Sequence, residues 1–207
     1  MKRRVSLLLG AVLALVMITG CGSNLKVDKN TVYVQKKGKV IGATVERFDK
    51  SYYDEKELEK YINDRVESYV SDHEKKSVKV EKFSVEEGTA KLNIKYAGWE
   101  DYASFNEVEL FAGTVVQALA EGYDFKDTFL AVEDGKLSGS VTRDEVMDHS
   151  DYKVVILNEK IDVKVDGTVQ YVSEAYTSLA GKDTVSITLP EDAMDGDELK
   201  LIYIIYK

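Results

Sequence analysis

Along most of the chain apolar residues fall at every second position, and in one stretch they fall at every third or fourth. The first pattern predicts strands and the second a helix. Val32 with Val34, then Val40, Ala43 and Val45, read as strands over 31–35 and 39–48 joined at Lys37-Gly38. Asp54 looks like a helix N-cap, with Glu57 three residues on as its capping-box partner. Leu58, Tyr61, Ile62, Val66, Tyr69, Val70 and His73 then recur at helical spacing. A long amphipathic helix over about 54–75 should lay this stripe on a sheet and end near the basic pair Lys75-Lys76. A hairpin follows over 77–85 and 89–96, around Glu86-Glu87-Gly88. Ala90, Leu92, Ile94 and Tyr96 alternate cleanly, whereas Val78 and Val80 fall out of phase with Phe83 and Val85, which predicts a bulge.

The middle of the chain is less regular. Trp99, Tyr102 and Ala103 fit a short helical turn, and 114–121 a helix stopped by Gly122. Segments 129–132 and 137–141 pair across Asp134-Gly135, and Thr142 with Glu145 is a second capping-box signal opening a short helix toward His149. Beyond it the chain is strand-rich. Residues 152–157 are a compact apolar run. Ile161, Val163 and Val165 alternate up to an Asp166-Gly167 hairpin turn, with Val169 and Tyr171 continuing past it. Val185, Ile187 and Leu189 alternate before Pro190. The final run LKLIYIIY is apolar on both phases, as a central strand covered on both faces must be. The fold class expected is α+β: a largely antiparallel sheet, one long amphipathic helix, a few short helices and a β-rich C-terminal part.

Composition supports a folded body. Of 207 residues, 44% are apolar and 31% charged, which is globular and not disordered. A single proline and the lack of a Ser/Gly tract mark no linker, so 31–207 is expected as one globular body, with 145–152 as the place where a subdivision would fall. Cys21 is the only cysteine, so no disulfide within the chain supports it. Charge is unevenly placed. Lys2, Arg3 and Arg4 are the only charged side chains in the first twenty residues, leaving 25 basic against 37 acidic residues after them. Such a body should be repelled by nucleic acid, which is excluded as a partner, and by anionic lipid headgroups.

The N-terminus carries the strongest motif. Lys2-Arg3-Arg4 precedes a 14-residue apolar run, 5–18. As a helix that run would span roughly 21 Å, short of the ~30 Å bilayer core and suited to a cleaved signal peptide, 1–20. Ile18-Thr19-Gly20-Cys21 follows. It resembles the lipobox of bacterial lipoproteins, with isoleucine where leucine is usual. The resemblance implies cleavage between Gly20 and Cys21 and a diacylglyceryl group on the Cys21 thiol, often with an acyl group on the new amino terminus. Two or more chains anchor stably where one does not. Residues 21–30 then form a lipidated tether. The nine residues after Cys21 reach at most about 30 Å, so the body should lie close to the extracytoplasmic face of the cell membrane. The lipobox and the segments YKVVILNEKIDVKV and LIYIIYK together resemble small lipoproteins of Gram-positive gut Clostridia. That resemblance implies no activity and no functional residue beyond Cys21.

Candidate chemistry is sparse. His73 lies on the apolar stripe near a helix end, where packing or capping is the plainer reading. His149 sits among the acids of 144–151, where a metal or acid–base role competes with a solvated helix end. Residues 192–198 (DAMDGDE) are acid-rich but fail calcium-loop spacing. G-x-S-x-G, H-E-x-x-H and Walker A patterns are absent from the sequence. Thirteen tyrosines stand out. Tyr61, Tyr69, Tyr96 and Tyr171 fall on buried phases, whereas Tyr52-Tyr53, or Tyr102 beside Trp99, could grip a sugar or peptide. No catalytic, cofactor-binding or metal residue is assigned, and no cofactor is expected. The expected function is a membrane-anchored surface lipoprotein with a non-enzymatic binding or accessory role. Its partners would be the lipid bilayer, through Cys21, and an envelope protein or glycan. The alternatives are a surface hydrolase acting on glycan or peptide through acidic residues, and a solute-binding component of a transporter. Replacing Cys21 with Ala should abolish incorporation of a palmitate analogue and leave the chain unprocessed or released; persistent labelling would refute the anchor.

Overall fold

The computed structural model describes residues 25–188 and 200–207. Gly20, Cys21, the expected signal segment 1–20 and the acidic stretch 192–198 lie outside the described residues. β1 (Thr31–Val34) and β2 (Val40–Arg47) form a hairpin whose turn places Gly38 at φ 75°. α1 (Glu55–Asp72) follows, capped by the Asp54 carboxylate, which accepts from the N–H groups of Lys56 and Glu57. The helix ends before the expected basic pair: His73 is its C-cap and its last turn holds no basic residue. Lys76, at φ 83°, bends the chain into the next strand.

β3 (Val78–Glu86) and β4 (Thr89–Tyr96) pair across Glu87 and Gly88, both at positive φ, the turn geometry that matches strand twist. The register slips between Val80 and Lys82. This bulge puts Val78, Val80, Phe83 and Val85 opposite Tyr96, Ile94, Leu92 and Ala90, so both halves of the strand present their apolar residues to one side. The chain continues through α2 (Trp99–Asn106), β5 (Leu110–Thr114), α3 (Val115–Ala120), β6 (Phe129–Glu133), β7 (Lys136–Val141) and α4 (Arg143–Met147). Thr142 and Glu145 close a reciprocal capping box at α4, as do Thr114 and Gln117 at α3. β8 (Lys153–Leu157), β9 (Asp162–Val165), β10 (Val169–Ser173), β11 (Thr177–Gly181), β12 (Thr184–Ile187) and β13 (Ile202–Tyr206) complete the fold.

These strands form two sheets in an α+β architecture that is β-rich toward the C-terminus. Sheet 1 has the order β11-β12-β9-β1-β2-β4-β3 and sheet 2 the order β5-β8-β13-β10-β6-β7. Among the described residues the β1–β9 pair is parallel and the others are antiparallel. Val32, Val40 and Val163 of sheet 1 share a core with Val155, Leu157 and Ile204 of sheet 2. The opposite face of sheet 2, with Val154, Ile156 and Ile205, packs on Val115 and Ala118 of α3, Val146 of α4 and Phe125. Sheet 2 is therefore covered on both faces at β8 and β13, while its edge strand β7 is largely exposed. All five residues of β13 are buried, and the strand sits between β8 and β10, as its unbroken apolar run predicts.

Asp166-Gly167 does not turn a hairpin. β9 belongs to sheet 1 and β10 to sheet 2, so this dipeptide is the corner between layers. The Asp166 N–H reaches the Val34 carbonyl of sheet 1, and the Thr168 N–H reaches the carbonyl of Lys207, which follows β13. A Cβ on Gly167 would lie 2.5 Å from the Lys207 carbonyl oxygen, so glycine is needed for close backbone approach and not for a turn. β5 and β11 were not anticipated, because LFAGT and TSLAG hold too little alternation to show as strands.

Two substitutions test this packing. Gly167→Ala should destabilise the protein by about 2 kcal/mol, since the layers must move apart at the corner. The Ser77 hydroxyl is buried with no hydrogen-bond partner among the described residues, so Ser77→Ala should stabilise by about 1 kcal/mol. Both are read from urea unfolding at constant slope.

Candidate functional site: a pocket under two helices

α1 and α2 pack over β2, β4 and β3. Between them and the sheet lies a pocket of about 290 Å³. Gly42, Ile94 and Tyr96 of sheet 1 contribute to its floor, and α1 supplies Ile62 and Arg65. α2 supplies Tyr102, Phe105 and Asn106, and the loop between β8 and β9 supplies Glu159. Gly42 makes the space: a Cβ there would stand 3.2 Å from the Tyr102 ring and 3.3 Å from the Tyr96 ring. Those rings meet edge to face at 5.1 Å.

A polar network ties the wall together. The Tyr102 hydroxyl, on a residue only 4% exposed, donates to Glu159 Oε1 at 3.1 Å. Asn106 Nδ2 donates to the Tyr96 hydroxyl at 3.2 Å and to the Tyr102 carbonyl at 2.8 Å. Arg65 Nη2 donates to the Phe105 carbonyl at 2.8 Å, and its guanidinium carbon stands 4.9 Å from the centre of the Phe105 ring. Neither Arg65 nor Glu159 joins an ion pair among the described residues. Burial pushes the Glu159 carboxyl above its usual range, and the hydrogen bond from Tyr102 offsets only part of this. Burial also pushes Tyr96 up to about 12; Asn106 and Arg65 oppose the rise and Glu159 adds to it. Tyr102 is raised further, by burial first and then by the charge of Glu159. Both phenols therefore stay protonated at neutral pH and serve as hydrogen-bond groups.

The residues singled out by sequence fall mostly elsewhere. His73 Nδ1 lies 2.8 Å from the Tyr69 carbonyl, with its ring stacked on Tyr69 at 3.8 Å, so it closes α1. His149 stacks on Tyr152 at 4.5 Å at the end of α4. No group of three or more His, Cys, Asp or Glu side chains converges for a metal among the described residues. Tyr61, expected on the buried stripe, is 61% exposed at the pocket rim. α1 rests over the edge strand β3, where only a narrow strip of helix can be covered, and Ile62 is its one fully buried residue. Tyr52 and Tyr53 form an exposed cluster with Phe48 at ring distances of 4.8 and 4.9 Å. Tyr102 is a buried wall of the pocket and not a surface platform. Gly42, Arg65, Asn106 and Glu159 went unrecognised in the sequence. They come from four separate elements, and no local spacing links them.

Compared with known proteins, the chain matches no family model, no curated protein and no solved structure.

Glu159 sets a pH dependence whose sign follows from its raised folded pKa. The folded state holds the proton more tightly than the unfolded chain. The group's contribution is fully present below the ordinary carboxylate pKa and is lost as pH rises through the folded value. Glu159→Gln keeps an acceptor for Tyr102 and removes the ionisation. The melting temperature of this variant should gain on the native protein progressively as pH rises above the ordinary carboxylate range. A constant difference across that range would refute the assignment.

Proposed function

We propose that the chain is a lipoprotein held by Cys21 on the extracytoplasmic face of the cell membrane, and that its body is a binding module. Its ligand is a small polar molecule, of monosaccharide or amino-acid size, seated in the pocket under α1 and α2. The anchor half of this reading rests on residues 2–21 alone. The binding half rests on one observation. Glu159 is a half-buried carboxylate with no cationic partner among the described residues, in a pocket lined mainly by aromatic and aliphatic side chains with a few amide and hydroxyl groups and Arg65. A ligand hydroxyl or ammonium would supply the donors that this carboxylate lacks. Arg65 at the α1 side offers a complementary cation for an acceptor on the same ligand.

Two features favour holding over hydrolysis or transport. Glu159 is the only acid among the residues lining the pocket, whereas glycoside hydrolysis uses a pair. The pocket lies between one sheet and the helices on it, not in a cleft between two lobes. Calorimetric titration of the lipidated chain in detergent against hexoses, hexosamines and amino acids should give saturable binding to one of these classes. Glu159→Ala should weaken it about tenfold or more, the range for loss of a charged hydrogen bond. Gly42→Val, which fills the floor, should abolish it. The absence of saturable binding across the panel would overturn the assignment. Turnover of a glycan or peptide that depends on Glu159 would replace it with the hydrolase.

A further inference from the structure

The outer face of sheet 1, opposite the pocket, has a different character. Strand alternation puts Lys79 and Lys82 of β3, Lys91 and Lys95 of β4, and Lys164 of β9 on this side, away from Ile94, Tyr96 and Val163. Residues 25–29 run across it. The Leu25 carbonyl accepts from Asn93 Nδ2 at 2.9 Å, and Asp28 lies 3.7 Å from Lys91. A groove borders the segment on each side, one lined by Val45, Lys82 and Lys91 and the other by Thr31, Lys164 and Thr184. The segment brings two more exposed lysines, Lys26 and Lys29. Seven lysines thus share this face with six carboxylates: Asp28, Glu81, Glu86, Asp162, Asp166 and Asp183. Three of those acids pair with lysines of the face: Asp28 with Lys91, Glu81 with Lys95 and Asp183 with Lys164. Lys79 and Lys82 are exposed and join no ion pair among the described residues. Beyond residue 20, the rest of the chain holds 18 basic against 31 acidic residues.

We infer that the outer face of sheet 1 is the membrane-facing surface of the anchored protein, with its lysines meeting anionic phospholipid headgroups. The inference rests on lipidation of Cys21. Residues 25–29 are docked on the body, so the body begins closer to Cys21 than the ten-residue tether expected. Four residue steps separate Cys21 from Leu25, a reach of at most about 14 Å. An anchor at headgroup level therefore holds the face around Leu25 against the bilayer. That face is net basic, whereas the rest of the chain beyond residue 20 is net acidic in sum, so this orientation sets the basic face and not the acidic remainder within a Debye length of anionic headgroups. The repulsion expected from the average charge of the body is avoided by orientation. The pocket, on the opposite side of the same sheet, is turned away from the lipid.

Amine acylation read residue by residue tests this. The lipidated full chain is seated on vesicles of phosphatidylcholine with phosphatidylglycerol and compared with the same chain in detergent. Lys79 and Lys82 should react at least about fivefold more slowly on the vesicles, while Lys56 and Lys60 of α1 keep their rates. The protection should shrink in high salt, and Lys79→Glu combined with Lys82→Glu should remove it from the remaining lysines of the face. A chain that floats with the vesicles yet labels uniformly overturns the orientation and leaves the anchor standing. Failure to float overturns the anchor and the orientation with it.

Discussion

The whole arrangement depends on burying β13 from both sides. Its five residues leave no face for water, so the strand requires an apolar layer above and below and a hydrogen-bonded neighbour on each edge. Sheet 1 provides one layer, and α3, α4 and the Phe125–Phe129 region provide the other. β8 and β10 provide the edges. Without β13, sheet 2 would be two separate pieces, β5-β8 and β10-β6-β7. The corner at Gly167 serves the same end, since the close approach of Lys207 fixes where the last strand meets the crossover from sheet 1.

Sheet 1 is under a weaker demand, and its two faces differ for that reason. Its inner face shares the core with sheet 2 along β1 and β9, and α1 and α2 complete the cover over β2, β4 and β3. Helices resting on a twisted sheet edge leave a gap, and Gly42 with the two tyrosine rings shapes that gap into the pocket. The outer face has no second layer among the described residues. Lysines alternate there with the buried positions, and the segment at 25–29 lies over them. One sheet thus separates the proposed ligand site from the proposed lipid contact. The proposed anchor, leading into the outer face, would leave the pocket open to the far side without any hinge.

The electrostatics of the pocket follow from the same geometry. Glu159 sits on a loop between strands of different sheets, and α2 brings Tyr102 against it. A carboxylate held this way keeps one hydrogen bond and loses much of its water, which raises its affinity for a proton and for any donor that can replace water. Tyr96 and Tyr102 are pushed in the same direction, away from ionisation, so the wall stays neutral apart from Glu159 and the rim guanidinium of Arg65.

Much of the local structure was legible in the sequence because it depends on neighbours along the chain. Asp54 and Thr142 announced their helices through capping, Gly38, Gly88 and Gly135 their turns, the phase slip at Val80 its bulge, and LIYIIYK its central strand. The resemblance of residues 18–21 to a lipobox likewise rests on adjacent residues, and the anchor it implies stays a proposal. What remained hidden depends on distance in space. Alternation shows that a strand has an inside but not which sheet receives it, so the corner at Gly167 resembled a hairpin. Tyr61 carries the helical period of a buried residue and lies at a rim, because the helix rests on an edge. Arg65, Asn106, Glu159 and Gly42 became one site only when α1, α2 and the β8–β9 loop closed over β2 and β4. The sequence determined the elements and their turns through local backbone and side-chain physics. Only the tertiary structure decided which faces meet, because burial depends on the layers that arrive from elsewhere in the chain.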